Sequence, residues 1–79
     1  MSEKRSAPRR RVLKTGTLEF VEGAVDCTVR NLSETGAALE VVTPLRIPDR
    51  FLLCIPSSDI RRRCHVVRRK QHRIGVAFE

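Results

Sequence analysis

Short apolar runs that alternate residue by residue with polar ones restrict this chain to strands, because no stretch of roughly ten residues carries the 3.6-residue repeat of an amphipathic helix. In Val25-Asp26-Cys27-Thr28-Val29-Arg30 the apolar side chains fall on one face and the polar ones on the other. That period of two belongs to a half-buried antiparallel strand. Ala37, Leu39 and Val41 repeat the pattern against Ala38 and Glu40, and Ile74, Val76 and Phe78 repeat it near the C-terminus. Six strands are predicted, over residues 12–20, 25–30, 37–41, 51–55, 61–69 and 73–78. Turn residues separate them: Val21-Glu22-Gly23-Ala24, the segment Asn31 to Gly36, Pro56-Ser57-Ser58-Asp59, and Lys70-Gln71-His72. Pro44 and Pro48 mark a longer connection, since neither can donate to a ladder.

With 79 residues the chain holds one domain, and a sheet of six short strands is best closed into a barrel, which removes the edges that template aggregation. The core is expected from Val, Leu and Ile, since aromatic residues make up 4% and Trp and Tyr are absent. Branched side chains favour the pleated surface over the helix. Residues 1–11 differ: Lys4, Arg5, Arg9, Arg10 and Arg11 leave almost nothing to bury, so this segment is expected as a flexible basic arm ahead of a barrel spanning residues 12–79.

The formal net charge is +7, carried by thirteen arginines and three lysines. Planar guanidinium groups suit phosphates and guanine edges, so an anionic partner is expected. Cys27, Cys54 and Cys64 make an odd count without a CxxC pair and read as reduced core thiols. They lack the spacing or His partners of a metal site, so neither metal nor cofactor is expected. His65, His72, Ser57 and Ser58 form no nucleophile and base pattern, and no glycine-rich phosphate loop is present, so the chain is not expected to be an enzyme. No apolar run reaches the roughly 18 residues of a membrane span, and a cytoplasmic protein without membrane insertion is the expectation.

Two short motifs then gain meaning from their order. The arm reads Arg5-Ser6-Ala7-Pro8-Arg9, an RxxxR pattern, and the second turn reads Asn31-Leu32-Ser33-Glu34-Thr35-Gly36, an NxSxxG pattern. Either alone is common; together, in this order and with twenty-one residues between Arg9 and Asn31, they resemble the PilZ domain, the bacterial receptor module for cyclic di-GMP. The closing Arg73-Ile74-Gly75-Val76-Ala77-Phe78 segment and the Pro-containing connection are similar to the family too.

The resemblance implies a small six-stranded antiparallel barrel in which Arg5, Arg9, Asn31, Ser33 and Gly36 bind cyclic di-GMP, with Lys4, Arg10 and Arg11 as secondary contacts. It implies that the arm orders over the ligand and alters contacts with an effector protein, the chain being a monomer or a weakly associating homodimer. Many members continue into a C-terminal helix; this sequence runs to Glu79, a departure that leaves the expected fold intact and leaves open an output that depends on such a helix. Two other readings stand beside this one. One is a PilZ-type interaction module that binds no nucleotide. The other is a basic barrel that binds nucleic acid, against which the scarcity of aromatics counts, because only Phe20, Phe51 and Phe78 exist and all three read as inward. Arg61, Arg62, Arg63, Arg68 and Arg69 read as a solvated strand face, some of which could contact phosphate across the barrel surface.

Overall fold

The computed structural model describes residues 10–42 and 47–79. Six antiparallel strands form it: β1 (Arg10–Phe20), β2 (Gly23–Leu32), β3 (Gly36–Glu40), β4 (Arg50–Ile55), β5 (Ile60–Lys70) and β6 (Arg73–Phe78). They close into a barrel in the order β1-β2-β3-β6-β5-β4. The six predicted strands are all present, each within two residues of its expected bounds. The first begins at Arg10 rather than Val12, because the backbone of Arg10 and Arg11 pairs with Leu32 and Asn31, a pairing that apolar patterning does not mark.

Alternation places the core. Leu18, Val29, Leu39, Leu53, Ile55 and Ile74 are fully buried, with Phe51, Val76, Cys27 and Cys64 around them. Fully burying an aliphatic side chain of this size contributes about 1.5–3 kcal/mol, so the inward row of each strand carries most of what holds the barrel together. Burial lifts the Cys27 and Cys64 thiols from 9.0 to about 11, as expected of reduced core thiols. Cys54 is a buried free thiol too, but on the other face of its strand. It lies between the inward-facing Leu53 and Ile55, so it points out of the barrel, and it is covered there by Glu19, whose Oε2 is 3.5 Å from Sγ, and by Arg61, whose guanidinium is 3.6 Å away. Desolvation, then the neighbouring Glu19 carboxylate, raises its pKa.

Three irregularities break the period of two. Register shifts occur between Arg11 and Lys14 on β1, between Val29 and Asn31 on β2, and between Val66 and Arg68 on β5. Each is a bulge, an extra residue that re-aims the side chains after it. The connection before β4 is tied down at its described end. The Arg69 guanidinium donates to the Ile47 carbonyl at 2.8 Å and to Asp49 at 2.9 Å, and the Val66 amide donates to the Asp49 carbonyl. Pro44 lies outside the described residues.

β1 joins β4 through only three residue pairs, Thr17 with Cys54, Leu18 with Leu53 and Glu19 with Leu52. Continuing that register would set Thr15 opposite Pro56, which has no N–H to give and starts a 3₁₀ turn, Pro56–Ser58. The ladder stops there. The chain then leaves through Asp59 in the left-handed conformation and enters β5.

Candidate cyclic dinucleotide site

The second motif is a braced turn. Leu32 and Val29 both face the core although three residues apart, so the β2 bulge absorbs one position and leaves Asn31 on the outer face. Strict alternation from Val25 would have turned Asn31 inward. After Leu32 the chain reverses: the Ser33 amide donates to the Gly36 carbonyl at 2.9 Å, and the Ser33 hydroxyl accepts the amides of Thr35 and Gly36, each at 3.2 Å. The Thr35 carbonyl accepts the Phe78 amide at 2.8 Å, which ties the turn to the end of β6.

Gly36 is required for contact rather than for a left-handed backbone. Its φ is not positive, and a Cβ placed on it would overlap the Val76 carbonyl oxygen across the β3–β6 ladder. The close approach of backbones is the role the fold gives this residue.

Beside this turn lies an open cleft of about 540 Å³ on the outside of the barrel. Its floor is made of small outward residues on paired strands: Ala38 opposite Gly75, and Gly36 opposite Ala77. Asn31 and Ser33 line one side, and Val67 and Arg68 line the other. Among the described residues no hydrogen bond engages the Asn31 amide, while the neighbouring Arg30 is paired with Glu40 at 3.2 Å. Flat backbone between small side chains suits a planar ring, and an amide and a guanidinium at its edges suit a guanine's donors and acceptors.

Arg68 is the residue that sequence reasoning underrated. The β5 bulge pairs it with Gly75, whose neighbours Ile74 and Val76 face the core, so Arg68 shares the outer face with Asn31. Nothing in Val66-Val67-Arg68-Arg69 announces a bulge, and without it Arg68 would point inward like Val66. Arg69 is not part of the cleft and anchors the 47–49 segment instead. Arg61 and Arg63 stay exposed, and Arg62 lies 4.7 Å above the ring of Phe78 at the barrel mouth. Phe78 is therefore half-buried rather than wholly inward, as is Phe20.

Lys4, Arg5 and Arg9 lie outside the described residues, as does the side chain of Arg10. The backbone of Arg10 is paired with Leu32, one residue before Ser33, so the chain that carries the first motif enters the sheet beside the second. Among the described residues no three His, Cys, Asp or Glu side chains gather to hold a metal ion, and no helix is long and apolar enough to cross a membrane.

Comparison with curated proteins gives no match. The family model for the PilZ domain matches residues 3–79, essentially the whole chain and both motifs. With that match and the closed six-stranded barrel, the chain belongs to the PilZ domain family, a family of cyclic di-GMP receptor and adaptor modules rather than enzymes.

Proposed function

We propose that this protein is a cyclic di-GMP receptor that holds the ligand between its N-terminal arm and the outer cleft, and that binding alters its contact with an effector protein. The observation that supports the reading is the pairing of Arg10 with Leu32, so that the chain following the first motif enters the sheet beside the second. Arg9 is the residue next to Arg10, and Arg5 is five residues away, within about 18 Å of it along a fully extended chain. Both can reach a ligand lying on Ala38, Gly75 and Ala77.

The roles follow from the ligand's chemistry. Cyclic di-GMP carries two guanines and two phosphodiester charges on a compact ring. Arg5 and Arg9 stack on a base, grip its O6 and N7 edge and neutralise phosphate. Asn31 reads a guanine edge, Arg68 adds a second cation from the opposite side, and Ser33 and Gly36 hold the turn that presents Asn31. Lys4 and Arg10 supply further phosphate contacts. Closing the arm's cations over the bound phosphates neutralises that surface, which is a change an effector can read. A role in binding single-stranded nucleic acid is disfavoured by the aromatics: Phe51 is buried, and the face of Phe78 is already covered by Arg62.

Titration calorimetry of the wild type, Arg5→Ala and Arg9→Ala tests this. Each substitution is expected to weaken binding by roughly ten- to a hundredfold, from about 1.5–3 kcal/mol for a charge-assisted hydrogen bond. Unchanged affinity in both variants refutes the assignment of the arm. A wild-type protein that shows no heat and no chemical-shift change with excess cyclic di-GMP is instead a PilZ-type interaction module without nucleotide.

A further inference from the structure

We infer that the N-terminal half of β1 is a docking edge for an acidic, extended segment of a partner protein, received by strand addition. The β1–β4 ladder ends at Thr17, where Pro56 diverts the chain, and among the described residues nothing pairs with the side of β1 that faces away from β2 over residues 11–15. This edge offers backbone N–H and C=O groups to an incoming chain, in regular alternation only on either side of the bulge between Arg11 and Lys14, and extended peptides join a sheet through such groups.

The space beside that edge is an open cleft of about 670 Å³ between β1, the 33–35 turn and the start of β5. Its apolar lining is Val12, Leu32, Ile60 and Phe78, each partly buried against the core. Lys14, Arg61 and Arg62 line it too, against the two carboxylates of Glu34 and Asp59. A strand added here would send alternate side chains onto the apolar lining and the others towards the cations, so a segment alternating apolar and acidic residues fits both.

Charge also selects against the other occupants. Antiparallel pairing of β1 with a second copy of itself would set Arg10, Arg11 and Lys14 near their like-charged counterparts, which is unfavourable across strands. The chain's own residues 1–9 carry Lys4, Arg5 and Arg9 against Glu3 alone and meet the same repulsion. The inference does not depend on nucleotide binding, since none of the cleft's cations belongs to the proposed dinucleotide site.

The test uses the full 79-residue chain without nucleotide and a short blocked peptide of alternating valine and glutamate as the probe. Amide chemical shifts of residues 11–15 are expected to move on titration, and the Lys14→Glu/Arg61→Glu double variant is expected to bind about tenfold more weakly while keeping its dispersed spectrum. A lysine analogue of the peptide should leave the spectrum unchanged. Shifts confined to the outer face of β5, or an acidic peptide that does not bind, overturn the inference. Sedimentation showing concentration-dependent dimers whose interface maps to β1 overturns it in favour of a second copy, and an edge that accepts the peptide only after residues 1–9 are removed overturns it in favour of the chain's own arm.

Discussion

The hydroxyl of Ser33 accepts the amide of Gly36 at 3.2 Å, so two residues of the second motif are spent first on each other. The same oxygen takes the Thr35 amide, so the turn that follows Asn31 is braced from within where it meets the outer cleft. Ser33→Ala should therefore lower stability by about 0.5–1.5 kcal/mol and weaken cyclic di-GMP binding at the same time. Urea unfolding and calorimetry on one variant separate the effects. If affinity falls with stability intact and with the Thr35 and Gly36 amides still protected from exchange, the hydroxyl touches the ligand and does not brace the turn.

Arg68 faces Gly75 across the β5–β6 ladder and lines the cleft opposite Asn31. Its exposure means that Arg68→Ala should leave the unfolding midpoint where it is. Loss of one charge-assisted contact should weaken cyclic di-GMP by roughly tenfold or more. Arg63→Ala, on the same strand but away from the cleft, is the control and should bind like the wild type. Equal affinities for the two variants would show that Arg68 is only a solvated charge.

Those two residues also mark where the sequence could be read and where it could not. Period-two patterning carries the strands, the closed barrel and nearly all of the core, because alternation records burial directly: Cys27 and Val29, or Ile74 and Val76, need no further context. The motifs locate the turn. A bulge, by contrast, leaves no mark in Val29-Arg30-Asn31 or Val66-Val67-Arg68, since the extra residue is an ordinary one and the shift is decided by pairing with distant strands. Parity beyond each bulge was therefore illegible, and with it the outward placement of Asn31 and Arg68. The face on which Cys54 is buried is illegible for a related reason: an apolar run such as Phe51-Leu52-Leu53-Cys54-Ile55 does not say which of its members lie under a surface pair such as Glu19 and Arg61.

The raised thiol pKa values of Cys27 and Cys64 make stability depend on alkaline pH. Burial favours the neutral thiol, so the folded state holds these protons more tightly than the unfolded chain does. The contribution is fully present below about pH 9 and is lost as pH rises through about 11, because only the unfolded chain ionises in that window. Urea midpoints measured from pH 8 to 11 should hold below about pH 9 and fall above it. The Cys27→Ala/Cys64→Ala double variant starts from lower stability but should show a shallower decline. Parallel curves for the two proteins would remove the thiols as the cause.

Gly36 and Gly75 sit on the same outer face, yet their substitution should have opposite consequences. A Cβ at Gly36 collides with the Val76 carbonyl, which is backbone in a paired strand and cannot swing aside. Gly36→Ala should thus cost about 1–3 kcal/mol, the range for forcing atoms into a packed region. At Gly75 a Cβ meets only the Cβ of Arg68 at 3.6 Å and a Val67 methyl at 3.8 Å, ordinary contact distances, and the backbone is not left-handed. Gly75→Val should leave the barrel as stable as before or slightly more so, since a branched residue suits a strand better than glycine does. It nevertheless fills the floor on which a guanine would lie, so cyclic di-GMP affinity should drop by more than about tenfold, the cost of excluding a stacked base. Thermal melts and calorimetry on both variants decide the matter. A Gly75→Val protein that melts normally and still binds the ligand at wild-type strength would place the nucleotide somewhere other than this cleft.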